Sequence, residues 1–166
     1  MKLFVLVARL VLGGLFVGHG TQKLLGWFGG HGLDGTAGFF ESLGLRPGRQ
    51  HAIAAGTAEA GGGALLALGL ATPAAAAAIT GVMTTAIRTV HAPNGPWVTD
   101  GGWEYPAVMI ATAALITEVG PGPVSLDAAR GGERSGTGWA LAALAAGAGM
   151  STVLLRDWER PAPPSA

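Results

Sequence analysis

The chain contains no cysteine among its 166 residues. That absence excludes a disulfide framework, a thiolate iron–sulfur site, a cysteine-ligated zinc and any thiol relay within the chain, so redox chemistry here would have to be carried by a bound molecule or a partner. Charge is scarce as well. Only 12 % of residues are charged, ten basic against ten acidic, where soluble domains carry about 25 %. No tract of consecutive like charges occurs, which removes the usual footprint of nucleic-acid binding. What the chain has instead is apolar residue: 49 % of the total and a mean hydropathy of +0.44. A membrane protein of one domain is the expectation.

Five segments are apolar and close to the length that crosses about 30 Å of hydrocarbon at 1.5 Å per residue. They run over Leu3–Trp27, His51–Gly69, Pro73–His91, Trp103–Val119 and Gly138–Leu155. The first begins like a secretory leader, but Arg9 interrupts it and no small-x-small cleavage pattern follows, so it reads as a retained helix. Between the second and third, GLATP offers Gly69 as a C-terminal cap, Thr72 as an N-cap and Pro73 as the first helical residue, the makings of a tight helical hairpin. Thr36–Leu43, with Phe39 and Phe40, has the spacing of a short interfacial helix. Trp97, Trp103 and Tyr105 stand where interfacial aromatics are expected. Arg46, Arg49, Arg156 and Arg160 fall on one side of such a bundle and Lys2, Arg130 and Arg134 on the other, too even a division to fix orientation. The tail from 156 to 166 is polar and proline-rich.

The informative residues are the polar ones inside the apolar runs. On a wheel of about 100° per residue, Arg9, Phe16, His19, Gln22 and Lys23 fall within roughly 140° of the first helix, with Gly13 and Gly20 beside them. A charge near a bilayer centre costs at least about 2.5–3.5 kcal/mol, so Arg9 should face the bundle interior or snorkel to an interface rather than meet lipid. Glu59 lies near the middle of the second segment among glycines that permit tight packing. Arg88 and His91 lie three apart at the end of the third, and Glu104 opens the fourth. The pairings to expect are Glu59 with Arg9, and Glu104 with Arg88 or Lys23. Each group also has a structural reading: Arg9 reaching headgroups, Gln22 and Lys23 marking the helix exit, Arg88 and His91 complementing a helix C-terminus. His31 and His51 read as solvated loop residues. His19 and His91 lack the spacing of a metal or haem site, and the GG, GGG and GPGP runs lack the context of a phosphate loop.

Three stretches, RLVLGGLFVGHGTQKLLGWFGG, TAEAGGGALLALGLATPAAA and DGGWEYPAVMIATAALITEVGPGPVSLDAARG, together resemble the DoxX family of small bacterial membrane proteins over Val5–Arg130. The combination of GHG-x-QK-L-x-G, GG-[YW]-E and GPG-x-x-SLD carries the likeness. The resemblance implies an all-α, polytopic membrane bundle with a four-helix core in residues 1–130, to which residues 131–155 add a linker and a fifth transmembrane helix. It also implies a multi-pass protein of the bacterial inner membrane. It suggests a membrane subunit of a redox system, quinone- or small-anion-linked and tied to sulfur oxidation or oxidative stress, with a redox partner protein. Arg9, His19, Gln22, Lys23, Glu59, Glu104 and Asp127 are the polar positions that match. A quinone is the cofactor such a site would take, its carbonyls accepting hydrogen bonds and its reduction needing protons. No companion soluble domain that could supply a substrate site accompanies the matching region. A non-catalytic scaffold that recruits a partner, its charges being interhelical ties, is the alternative, and a small-solute conduit is a third.

Overall fold

The computed structural model describes residues 3–161. Lys2 and the last five residues of the expected tail lie outside them. Every regular element is helical, and no strand occurs among the described residues. The helices are α1 (Leu3–Leu25), α2 (Gly32–Ser42), α3 (Gly48–Leu68), α4 (Thr72–Ala86), α5 (Glu104–Val119), the single turn α6 (Leu126–Ala129) and α7 (Thr137–Leu154). Helix α4 runs without a break into a π-helical turn, Ile87–His91, so the third expected segment does extend to His91.

Helix α1 packs antiparallel on α3, and α4 lies at the centre against α3, α5 and α7. Glycines set the first contact. A Cβ on Gly13 would stand 2.5 Å from the Gly63 carbonyl oxygen, and one on Gly63 would stand 2.6 Å from that of Gly13, so a larger residue at either position would separate the helices. Gly147 gives α7 the same close approach to α4, at the Ala77 carbonyl and Thr80. Leu12, Phe16, Leu66, Ile79, Met109 and Ile116 fill the space between the helices.

Of the five expected spans, α1 and α7 are the helices long and apolar enough to cross a membrane. Helix α3 has 21 residues but carries Arg49, Gln50 and His51 in its first turn and Glu59 near its middle and spends further positions on glycine, while α4 and α5 stop at 15 and 16 residues. The α3–α4 turn corrects a detail of the sequence reading. Gly69 does end α3 in the left-handed region (φ 61°). Thr72, however, is the first residue of α4 rather than its cap; Ala71 precedes it, and the capping carboxylate arrives from another part of the chain.

The bundle therefore has two ends. One, the turn end, gathers the α3–α4 turn and the loop through α6. The other, the lid end, is crossed by α2 and receives the ends of α1, α4 and α7. Arg49 of α3 pairs there with Asp34 of α2 at 2.6 Å.

Candidate functional site

Two buried charged side chains lie on α1 and α3, and the structure keeps them apart. Arg9 is 1 % exposed and points to the turn end. Its Nη1 donates to the Pro121 carbonyl, and its Nη2 donates to those of Ala67 and Val124, each at 3.0 Å. Three backbone acceptors from the end of α3 and the Gly-Pro-Gly-Pro loop thus surround one guanidinium, whose fork of donors suits that geometry. Gly69 leaves the room: a Cβ there would stand 2.6 Å from Nη1. Beside it, Asp127 accepts from the Ala71 and Thr72 amides at 2.8 and 3.1 Å and from the Thr72 hydroxyl at 3.0 Å. It is the N-terminal cap of α4, delivered from α6.

Glu59 is 3 % exposed and does not meet Arg9. Its Oε2 lies 2.7 Å from the Lys23 ammonium. The register explains the correction. Gly13 sits against Gly63 and Gly20 against Gly56 and Ala60, so Arg9 comes level with Ala67, while the Lys23 stem reaches back one turn to Glu59. The Lys23 ammonium makes no other ion pair or hydrogen bond among the described residues, leaving two of its three N–H groups free to donate.

That ion pair lies in the wall of a cavity of about 860 Å³, in the upper part of the range of roughly 300–1,000 Å³ typical of small-molecule sites. Its lining is overwhelmingly apolar. Phe16, Met109, Pro106 and Val82 from α1, α5 and α4 enclose the space beside Lys23 and Glu59, with Phe39 and Phe40 of α2 and Leu43 just after it closing the lid end. His19 lines the same cavity while remaining exposed, and its Nδ1 lies 3.1 Å from the Gln22 Oε1. Gln22 in turn donates to the Phe28 carbonyl at 3.3 Å, so it orients His19 without itself lining the cavity.

The remaining candidates divide. His91 lines the cavity and meets the Gly101 carbonyl through Nδ1 at 2.7 Å. Arg88 turns away, donating to the Thr152 hydroxyl at 3.3 Å. Glu104 pairs with neither Arg88 nor Lys23; it accepts the Val98 amide at 2.9 Å and fastens the loop before α5. His51, read from the sequence as a loop residue, lies within α3 and lines the cavity, as does Tyr105. An i, i+4, i+8 spacing of His51, Ala55 and Glu59 was the signal that joined His51 to this face. No group of three metal-ligating side chains occurs among the described residues.

This arrangement can hold an acceptor-bearing, flat or compact ligand against a cation already neutralised by a carboxylate, inside a dry wall. Comparison with curated proteins and with solved structures gives no match. Comparison with protein families matches residues 4–92 to DoxX. The matched region takes in α1 to the end of the π-helical turn, and hence Arg9, His19, Lys23, Glu59 and His91. A family match over more than half of the chain, joined to two helices apolar enough to cross a membrane, points to a membrane protein, and on it the chain belongs to the DoxX family.

Proposed function

We propose that this protein is a multi-pass membrane protein that binds a quinone headgroup, or an anion of similar size, as the membrane subunit of a redox system. The observation that carries the reading is the Lys23–Glu59 pair at 2.7 Å in the wall of the apolar cavity. A quinone carbonyl would accept from Lys23, whose free N–H groups have no competing partner; Glu59 holds the ammonium in place and keeps the site near neutral; and His19, oriented by Gln22, stands between the cavity and the outside. Arg9 has no part in this site. When bound, the quinone supplies the redox-active group. Electrons reach it from a partner protein, because a cysteine-free chain offers no thiol or iron–sulfur relay.

In this reading α1, α3, α4 with its π-helical turn, α5 and α7 all cross the bacterial inner membrane. The 20 residues from Thr72 to His91 make about 30 Å of helix, the thickness of the hydrocarbon core. Residues 1–130 hold the four-helix core, and residues 131–155 add α7 on its outer side. The loop 92–103, with exposed Trp97 and Trp103, lies at the interface.

The test is purification of the full chain in mild detergent followed by extraction and mass spectrometry of bound quinone. Quinone should accompany the native protein in a fixed molar ratio and be lost from Lys23→Met and Glu59→Gln while both remain monodisperse. Equal quinone in the native protein and both variants would sink the reading.

A further inference from the structure

The cavity does not end beside the ion pair. One stripe of α4, through Ala74, Ala78, Gly81, Thr85 and Thr89, lines it, spaced four, three, four and four residues apart as one helical face requires. From Ala74 to Thr89 this stripe is about 22 Å long at 1.5 Å per residue, far longer than a ring-sized headgroup needs. On one side its wall is α3, where Ala54 and Ala58 face it; on the other it is α7, through Ala146 and Met150. Helices α3 and α7 both pack on α4 but scarcely on each other, so the space between them is a groove. It is open on its flank: Ala54, Ala74 and Met150 are exposed along the helix sides. Toward the lid end Phe39 and Phe40 of α2, with Leu43 just after it, roof it over.

We propose that this groove takes the hydrocarbon chain of a single-chain membrane amphiphile, whose polar head sits at Lys23 and Glu59. The inference rests on the binding reading given above and extends it from the head to the chain. Alanine, glycine and threonine over four turns make a floor of short side chains, with Val82 and Met83 of the same helix beside it. The flank opens where, in a spanning bundle, acyl chains would lie, so a ligand dissolved in the bilayer slides in sideways without leaving hydrocarbon. The polar end supplies register: two free N–H groups of Lys23 fix the head, and the roof formed by α2 shields it from water. A hydrocarbon chain gains little by exchanging lipid for an apolar groove. The groove therefore governs which ligands fit, and the ion pair governs how tightly the head is held.

The experiment uses the full chain in phosphatidylcholine nanodiscs, with a decyl-substituted benzoquinone and the same ring without its chain as probes, both corrected for partition into protein-free discs. Ala54→Phe and Ala74→Phe each place a ring in the groove at an exposed position where folding tolerates it. Each should weaken the decyl compound at least about tenfold and leave the bare ring unchanged, whereas Glu59→Gln should weaken both alike. If both groove variants bind the decyl compound as the native protein does, the groove assignment is overturned while the headgroup reading stands. If neither probe binds the native protein, the headgroup reading falls and the groove is decided by a head-independent measurement. For that, bimane on Ala78→Cys, the sole thiol in the chain, is quenched by a chain-brominated stearate. Saturable quenching supports the groove, and a linear response equal to that at Leu115→Cys on the outer face of α5 overturns it.

Discussion

The two ends of the bundle treat a buried charge in opposite ways. At the turn end, Arg9 is closed in by carbonyl oxygens of Ala67, Pro121 and Val124, and Asp127 is spent on the amides of α4. Every acceptor of Arg9 belongs to the backbone, so the arrangement is rigid. At the lid end, Glu59 meets one flexible lysine that is itself a quarter exposed, and the other side of the pair is a cavity. Backbone ligation locks a charge into structure; side-chain pairing beside empty volume leaves it free to meet something else. Buried charge alone therefore says little about function in this protein, and the identity of its partner says much more.

The sharpest way to break the comparison is at the turn end. Arg9→Ala leaves three carbonyls without a donor where each charge-assisted bond contributes about 1.5–3 kcal/mol, and it should cost the largest loss of stability, several kcal/mol, read as a fall in the midpoint of thermal unfolding in detergent. Quinone content per folded molecule should be unchanged; a selective loss of quinone without loss of stability would reverse the roles assigned to the two ends. Asp127→Ala should follow at about 1–2 kcal/mol, the usual worth of an N-cap, with Asp127→Asn recovering part of it; a neutral Asp127→Ala would mean the cap is redundant. The smallest effect belongs to the lid end. Glu59→Gln keeps an acceptor for Lys23 and should change stability by about 1 kcal/mol or less. Lys23→Met, which strands a buried carboxylate, should be worse than the double variant Lys23→Met/Glu59→Gln, because removing both members avoids an uncompensated charge. If the double variant is the least stable of the three, the pair holds the bundle together and the distinction between the ends fails.

Much of this was legible in the residues. The apolar runs placed the helices to within a few positions, because periodic hydrophobicity survives without context. The π-helical turn carried α4 to His91 as the pattern required, and Gly69 closed α3 as its place before Leu70-Ala71-Thr72-Pro73 suggested. Of the stripe on α1, Arg9 and Phe16 are buried and His19 and Lys23 line the cavity, while Gln22 does not. What failed was pairing. A wheel gives the angle of Arg9 and Glu59 about their axes but not the height of one helix against the other. That height is fixed by glycine-to-backbone contacts at Gly13, Gly20 and Gly63, which have no complementary letter in the sequence. Backbone carbonyls are equally silent, so nothing in the residues marked Pro121 and Val124 as the partners of Arg9. Glu104 misled for a similar reason, its target being the Val98 amide.

The closure of the turn end also imposes an order of assembly. Arg9 leaves the ribosome 112 residues ahead of Pro121 and 115 ahead of Val124, and the α3–α4 hairpin is synthesised 55 residues before the carboxylate that caps it. Until the Gly-Pro-Gly-Pro segment has been made, only one of the three carbonyls that hold the guanidinium, that of Ala67, exists to receive it. The early helices of this protein therefore complete their docking only after Val124 has been made.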